Sequence, residues 1–400
     1  MTVQEFLRSH NAAPEQIHAL DNLAQLLCDM DRGLCGTGNI PMLPSYLCPA
    51  ISIPAGAKCC VLDAGGTNLR AALATFDENG RCRLEHVYRQ KMPGTEGELS
   101  FDAFYEAIAA PLRRLGDFRR VGFCFSYNTT MDRNLDGTLD FWCKEVQVPE
   151  AVGHPVGASV KAVLGDECLY VHVLNDSVAA MLGAGDVDAG VILGTGVNVC
   201  YTEQCRNITK IKEPLRSDTM IISTEVGEFS GFPKSDFERA VIDASDAPGN
   251  AEAEKQCAGG YLGQIISAGW RAAAEEGLLP ADFLNGSWNL AQISRYLDGT
   301  ADPAIVQHPC AAEIARTMIH RAAKIAAVLC AGPLCKVSCG TQPVRIAVEG
   351  SQYWKLAGFR EAFHRELDLL LLTRGRPYEI IRTENACLIG AARAAFAESM

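Results

Sequence analysis

Two glycine-rich segments of the chain have residue types that suit phosphate binding. In the first, an apolar run ends at Asp63 and is followed by Gly65, Gly66, Thr67 and Asn68. The run predicts a buried strand, and the glycines predict a tight turn with positive φ, where backbone N–H groups can approach an anion closely. An ordinary Gly-Gly hairpin with a capping Asp would show the same pattern.

The second segment repeats the order of strand, Gly/Thr turn, Asn and strand, through Gly194, Thr195, Gly196 and Asn198. The two copies lie about 130 residues apart, which is one domain length. This spacing predicts a duplicated fold with the phosphates of a nucleotide between the copies. Only the first copy carries a carboxylate, Asp63, which could hold Mg²⁺ directly or through water.

A third segment places Asn175 and Asp176 between an apolar strand and an apolar helical run. On its own, this pattern is typical of a helix N-cap. In an open α/β sheet, however, ligands bind at the carboxyl ends of the strands. Asp176 is therefore also placed to act as a general base.

The elements that must position these residues alternate between strands and helices. Residues 58–90 predict an antiparallel meander with a turn at Asn79-Gly80. Helical spacing from Phe101 and strands at 121–125 and 170–174 complete a βββαβαβ order, and the second half repeats it from residue 189. We therefore predict an α/β protein in which mixed sheets flanked by helices are built twice, with a cleft between the halves.

The composition excludes several classes of protein. The 400 residues are 48% hydrophobic, which is enough for two cores, and a net charge of −12 without a basic run disfavours a nucleic-acid partner. Apolar runs too short to span a bilayer and an N-terminus without a signal-peptide pattern predict a cytoplasmic protein with no membrane partner. The 17 cysteines follow no framework, which predicts reduced, buried thiols, and the cluster at residues 330–339 lacks zinc-ligand spacing.

The three segments occur in the order found in the eukaryotic-type hexokinase and glucokinase family, which the chain resembles over about residues 15–395. Residues 63–70 are similar to the first phosphate motif of that family, 194–198 to the second, and 174–177 to its catalytic segment. Further similar segments are residues 42–46, 125–127, 136–144, 224–227, 248–255, 260–263 and 348–351. The resemblance implies two RNase H-like domains of the actin and hexokinase type, a small one of residues 52–177 plus 385–400 and a large one of residues 1–51 plus 178–384.

The resemblance also implies a reaction, the ATP-dependent phosphorylation of the 6-hydroxyl of a hexose, glucose before mannose or fructose. Asp176 would be the general base, ATP the donor and Mg²⁺ the cofactor, with Asp63 as the metal candidate. The polar side chains assigned to the sugar are Ser126, Lys144, Asn175, Asp176, Asn198, Glu225 and Glu254. The nucleotide is assigned to Asp63, Gly65, Gly66, Thr67, Asn68, Arg70, Gly194, Thr195 and Gly196, with Gly350 and Ser351 on the adenosine side. Because both halves supply sugar contacts, closure of the cleft would complete the site and exclude water.

Four positions depart from the family pattern: Cys143 replaces Thr, Asn128 replaces Pro, Val226 replaces Trp and Glu349 replaces Asp. The loss of the hydroxyl at Cys143 would weaken glucose binding by ~1 kcal/mol. Two other functions stay open, a catalytically idle hexose sensor of the same fold and an actin-like ATPase that acts through protein partners. Asp63 and Asp176 favour an enzyme, because a sensor needs neither a metal nor a base.

Overall fold

A computed structural model describes residues 1–116, 118–142, 146–284, 286, 288–301, 308–338, 340 and 342–400. The helices in this part of the chain are α1 (Val3–Ser9), α2 (Ala19–Leu34), α3 (Phe101–Leu115), α4 (Val156–Leu164), α5 (Asp176–Ala184), α6 (Asp236–Asp243), α7 (Glu252–Cys257), α8 (Gly259–Glu275), α9 (Leu290–Leu297), α10 (Pro309–Lys336), α11 (Ser351–Lys355), α12 (Phe359–Leu371) and α13 (Ala386–Ala394). The strands are β1 (Leu43–Pro44), β2 (Lys58–Ala64), β3 (Asn68–Phe76), β4 (Cys82–Lys91), β5 (Arg120–Phe125), β6 (Asn128–Met131), β7 (Gly137–Phe141), β8 (Tyr170–Leu174), β9 (Ala189–Leu193), β10 (Val197–Gln204), β11 (Thr219–Ser223), β12 (Val344–Glu349) and β13 (Tyr378–Ile381).

Two mixed sheets form the framework of the fold. The five-stranded sheet has the order β4-β3-β2-β5-β8, in which β2, β5 and β8 are parallel neighbours. The six-stranded sheet has the order β1-β11-β10-β9-β12-β13, in which β9, β12 and β13 are parallel neighbours. In each sheet an antiparallel hairpin, β2–β3 or β9–β10, is joined to parallel strands. The predicted α/β class and the repeated hairpin arrangement are confirmed.

Helices α5 and α13 pack between the two sheets. Their backbones cross so closely that a Cβ on Gly183 would lie 1.9 Å from the carbonyl oxygen of Ala386, and a Cβ on Gly390 would lie 1.8 Å from that of Ala179. Only glycine permits such an approach. The apolar core around this helix pair takes side chains from β2 and β3 of one sheet and from β11 and β12 of the other. The pair therefore connects the two halves of the fold.

Local signals explain several element boundaries. The Ser100 hydroxyl accepts a hydrogen bond from the first turn of α3, and Gly116 ends this helix with a φ of 84°. In the β3–β4 turn, the Asp77 carboxylate accepts the N–H groups of Asn79 and Arg81 at 2.8 and 2.9 Å. This turn lies where the Asn-Gly dipeptide predicts it.

The structure also contains elements that the sequence pattern does not predict. These include α1, the two-stranded ribbon of β6 and β7, and the short helices α7 and α9. Helix α10 is long and apolar enough to cross a membrane, contrary to our expectation for any run of the chain. However, 83% of its apolar 18-residue window is buried inside the protein, which is typical of a core helix.

The cysteines within the described ranges are all free thiols. The expectation that they are buried holds only in part, because Cys28 and Cys35 are exposed. Cys143 and Cys339 lie outside the described residues. Among the residues that are described, no group of three or more His, Cys, Asp or Glu side chains could hold a metal ion.

Candidate active site

The candidate site begins at one edge of the five-stranded sheet. Strands β2, β5 and β8 are parallel, so their carboxyl ends meet at this edge, where ligands bind in open α/β sheets. Strand β2 leads into the Gly65–Gly66 turn, β5 into Ser126, and β8 into Asn175. The Ser126 N–H donates to the carbonyl of Ala64 at 3.1 Å, which ties the first two of these segments together.

The turn after β2 lies where the sequence predicts it, but its backbone conformation differs from the prediction. The Gly65 N–H donates to the Asn68 carbonyl at 3.0 Å, and the Tyr127 hydroxyl donates to the Gly65 carbonyl at 2.8 Å. The expected positive φ is wrong for both Gly65 and Gly66. A Cβ on Gly65 would meet no atom closer than 3.7 Å, so crowding within the protein does not require glycine either. Close approach of the backbone to a ligand is the remaining reason for glycine here.

Asp63, at the end of β2, forms a buried ion pair with Arg70. The carboxylate is 7% exposed, and its Oδ2 accepts hydrogen bonds from both Nε, at 2.7 Å, and Nη2 of Arg70. Because both contacts fall on Oδ2, Oδ1 is the oxygen that could face a cation. The positive charge of Arg70 would also offset part of the negative charge of a triphosphate bound at this position.

Glu349, at the end of β12 in the other sheet, lies near this ion pair. The pKa of Glu349 is raised above its ordinary value, mainly by burial. The Arg70 guanidinium opposes this rise, and the Asp63 carboxylate adds to it. One or two carboxylates, completed by water and phosphate oxygens, form the ligand set that Mg²⁺ usually has in kinases. Asp63 and Glu349 fit that set, with Asp63 the more firmly oriented of the two.

Asn175 and Asp176 begin helix α5. The Oδ1 of Asn175 accepts hydrogen bonds from the N–H of Ser177 at 2.9 Å and from its hydroxyl at 2.8 Å, so Asn175 is the N-cap. Asp176 is the first helical residue, where the helix dipole favours a negative charge. The cap and the candidate base are therefore two different residues, and the one interpretation does not exclude the other.

Asn198 on β10 joins this segment to polar residues of the six-stranded sheet. Its Nδ2 donates to Glu225 at 2.5 Å, to the Ser223 hydroxyl at 3.0 Å and to Asn175 Oδ1 at 3.4 Å. Its Oδ1 accepts the Glu225 N–H at 3.0 Å. Glu225 has a φ of 57°, in the left-handed region that non-glycine residues rarely adopt. Such backbone conformations persist where the surrounding structure fixes them, as at ligand sites.

Three carboxylates converge at this network. Burial raises the pKa of Glu225 from 4.5 to about 7, the carboxylates of Asp176 and Glu254 add to this effect, and hydrogen bonds from Ser223 and Asn198 oppose it. Asp176 and Glu254 therefore act electrostatically on Glu225, although Asp176 begins α5, Glu254 lies in α7 and Glu225 lies between β11 and a short 3-10 turn. Carboxylates in such a group are suited to accept the hydroxyls of a sugar.

The second glycine turn, between β9 and β10, is fixed by the start of helix α8. The N–H groups of Gly259 and Gly260 donate to the carbonyls of Gly194 and Thr195, at 2.8 and 3.0 Å. A Cβ on Gly259 would lie 2.7 Å from the Gly194 oxygen, so the two segments require a residue without a side chain. The positive φ expected for this turn is also absent at Gly194 and Gly196.

Close contacts also explain two further glycines, Gly196 within this turn and Gly350 beside it. A Cβ on Gly196 would lie 2.5 Å from Oε2 of Glu254, which also accepts the Val197 N–H at 2.9 Å. Gly350, with a φ of 118°, follows the parallel strand β12, and its Cβ would lie 2.1 Å from the Leu193 carbonyl oxygen. The turn thus contacts a sugar-side candidate, Glu254, and the adenosine-side pair Gly350 and Ser351.

The structure brings most of the predicted site residues into these connected groups. Asn175, Asp176, Asn198, Glu225 and Glu254 form one group, and the second glycine turn adjoins it through Glu254. Ser126 is tied to the first turn through β2. Lys144 lies outside the described residues.

Three residues with contacts at the site were not assigned from the sequence. Ser223 bonds both Asn198 and Glu225, and Tyr127 bonds the first glycine turn. Asn385, which precedes α13, accepts a hydrogen bond from Arg70. The apolar sequence of β11 could have indicated Ser223, since a polar residue at the end of an otherwise buried strand needs a partner. Nothing in the local pattern indicates Asn385.

Comparisons with known proteins give one consistent result. One family model described as hexokinase matches residues 2–185, and a second model with the same description matches residues 188–295 and 289–397. Hexokinase-1 of Oryza sativa subsp. japonica is 31% identical over 275 residues, which are 61% of this chain and 54% of that protein. Hexokinase-1 of Saccharomyces cerevisiae is 26% identical over 388 residues, 84% of this chain and 78% of the yeast protein. The chain thus spans about half the length of the rice relative in that match.

A solved structure shares the fold over almost the whole chain. It is a hexokinase from Schistosoma mansoni in complex with glucose, with a TM-score of 0.81, 22% identity and 99% of each chain covered. At this level of identity the likeness establishes the fold. The expected pair of actin-like domains with mixed sheets is thereby confirmed.

Proposed function

Because the chain belongs to the hexokinase family, we propose that it transfers the γ-phosphoryl group of ATP to the 6-hydroxyl of a hexose, with glucose as the first candidate. The observation that carries the proposal is the polar network in which Asn198 donates to both Glu225 and Asn175, the residue before Asp176, while Glu254 accepts the Val197 N–H beside the second glycine turn. Glucose in the related structure from Schistosoma mansoni supports the choice of sugar.

Each group in the site has a defined task in this reaction. The carboxylates of Glu225 and Glu254 accept hydrogen bonds from the sugar hydroxyls, and the amide of Asn198 also bonds to them. Ser126 and Asn175 help to orient the 6-hydroxymethyl end. Asp176 takes the proton of the 6-hydroxyl as the bond from O6 to phosphorus forms and the bond from phosphorus to the ADP oxygen breaks. Lys144 is included in the sugar set on the resemblance alone.

The phosphates would lie against the two glycine turns. Backbone N–H groups of residues 65–68 and 194–196 donate to phosphate oxygens, and the guanidinium of Arg70 balances negative charge. Asp63, with Glu349 nearby, would hold Mg²⁺. When bound, this ion neutralises charge on the β- and γ-phosphates. Gly350 and Ser351 face the adenosine.

Closure between the halves would accompany sugar binding. The proposed boundaries put residues 52–177 and 385–400 in the small domain and the remainder in the large domain. The sugar set then comes from both, so that hexose binding draws the domains together and excludes water from the phosphoryl group. ATP hydrolysis in the absence of sugar is expected to be slow for this reason.

The test measures ADP formation with and without glucose, in the wild type and in Asp176→Ala. We expect sugar-dependent ADP that falls by about 10²–10⁴-fold in the variant, the range for loss of a general base. Binding of glucose without turnover would instead indicate an idle sensor. Equal hydrolysis with and without sugar would indicate an ATPase of the actin-like class.

A further inference from the structure

We propose that Asn385 is a positioning residue for the phosphate side of the site. It holds Arg70, and through Arg70 it fixes the position of Asp63 relative to Asp176. The proposal rests on the proposed function. It concerns a residue to which neither the sequence motifs nor the sugar and nucleotide sets give a role.

The first observation is that Arg70 is held from two sides. Its Nε donates to Asp63 at 2.7 Å, and its Nη1 donates to Oδ1 of Asn385 at 3.3 Å. Asp63 lies on the five-stranded sheet, whereas Asn385 precedes the C-terminal helix α13. A guanidinium fixed at both ends presents Asp63 in one orientation, because its planar fork has a defined geometry.

The second observation is the conformation of Asn385. It occupies the N-cap position of α13, where an Asn side chain normally accepts a hydrogen bond from the first turn of the helix. Here it makes no such bond, and its φ of 55° lies in the left-handed region. The amide is thus turned from the helix toward Arg70. Asn tolerates this backbone better than most residues, although glycine adopts it most easily.

The third observation is that the same turn of α13 reaches the segment of the candidate base. The Cys387 thiol donates to the backbone carbonyl of Asp176 at 3.8 Å. Contact with Cys387 and burial raise the pKa of the Cys124 thiol on β5, and the carboxylates of Asp63 and Asp176 add to this rise. Because α13 also packs closely on α5, its first turn holds the two carboxylate-bearing segments relative to each other.

The experiment compares Asn385→Gly with Asn11→Gly. Asn11 is a matched control in the N-terminal region. It is also exposed, has a φ of 54°, and accepts a hydrogen bond on its Oδ1, from Gln16, at 3.3 Å. Glycine keeps the left-handed backbone in both variants while removing the side chain with its amide, so the two variants should change the melting temperature by similar, small amounts.

Calorimetry with the non-hydrolysable analogue AMPPNP and Mg²⁺, in the presence of saturating glucose, gives a readout that does not need turnover. Asn385→Gly should raise the Kd of the analogue about 3–10-fold, the loss expected for a hydrogen bond to a charged group that orients another. The glucose Kd should change less than about twofold in the same variant. Asn11→Gly should change neither constant. Asn385→Asp should weaken the analogue more than glycine does, because a second carboxylate competes with Asp63 for Arg70 and repels phosphate.

A double variant shows whether Asn385 acts through Arg70. In an Arg70→Lys background, Asn385→Gly should cause no further loss of analogue binding, because lysine lacks the fork that Asn385 holds. Additive losses would overturn the proposal, as would an Asn385→Gly variant that behaves like Asn11→Gly or loses glucose affinity equally. A wild-type protein that binds neither glucose nor the analogue would refute the proposed function itself.

Discussion

Replacement of Glu225 with Gln removes a buried carboxyl group of the candidate sugar pocket whose ionisation is disfavoured. Burial raises the pKa of Glu225 from 4.5 to about 7 in the sugar-free protein. The folded protein therefore holds a proton that the unfolded chain releases, and the stability from this group is present below about pH 4.5 and is lost as the pH rises through 7. At 1.36 kcal/mol per pKa unit, the loss reaches at most about 3 kcal/mol. The Glu225→Gln protein should not lose stability in this way. Its free energy of unfolding relative to that of the wild type should therefore increase over that pH range.

The same shift predicts that glucose binding releases a proton. A sugar hydroxyl that donates to Glu225 stabilises the carboxylate, which lowers its pKa. Between about pH 6 and pH 7 the wild-type Kd for glucose should then fall by up to about tenfold, with a plateau above about pH 8. Glu225→Gln should bind glucose more weakly at high pH and without this pH dependence, because its amide does not titrate.

Isothermal titration calorimetry at about pH 6.5, in two buffers of different ionisation enthalpy, counts the protons released. The wild type should release a fraction of one proton per glucose and Glu225→Gln should release fewer. A wild-type Kd that does not change with pH, or an equal release from the variant, would refute the placement of Glu225 against a sugar hydroxyl.

Three further outcomes are expected. Asp176→Asn should lower the rate of ADP formation by about 10²–10⁴-fold while the calorimetric Kd for glucose stays within about threefold, and an unchanged rate would remove Asp176 as the base. Cys143→Thr, which restores the family hydroxyl at a position outside the described residues, should lower the KM for glucose about fivefold, equivalent to ~1 kcal/mol, and a higher KM would contradict this. His10→Gln should lower the melting temperature at about pH 6 but not at about pH 9, because hydrogen bonds to Glu276 and Asp236 outweigh burial and raise the pKa of His10, and its contribution is lost as the pH rises through that value. An equal change at both values would show that its charge is not involved.

The fold was largely predictable from the chain because its strongest signals are local. Alternation, turn dipeptides and helical spacing indicate both hairpins and the central strands. The sequence does not predict the ribbon of β6 and β7, because its two strands are short and their apolar and polar residues alternate only weakly. The apolar content of α10 reflects burial on all sides, which composition alone does not distinguish from a membrane span.

The sequence indicates candidate site residues but not the physical reasons for several of them. Glycine content indicated positive φ, which Gly350 has and Gly196 lacks, but both glycines are also needed because a side chain or carbonyl lies within 2.5 Å of where a Cβ would be. The coupling of Glu225 to Asp176 and Glu254 joins segments far apart in the chain, which no local period encodes. Asn385 was missed for the same reason, because its partner Arg70 is 315 positions away.

A sugar that lacks only the reacting group gives the most direct test of Asp176 chemistry at the 6-hydroxyl. With γ-labelled ATP, glucose should yield a labelled sugar phosphate, while 6-deoxyglucose should bind about 10–100-fold more weakly, because it leaves the partners of the 6-hydroxyl unpaired, and should yield none at saturating concentration. Labelled product from 6-deoxyglucose would show transfer to another hydroxyl, and the absence of product from glucose and from other hexoses would contradict a hexose kinase altogether.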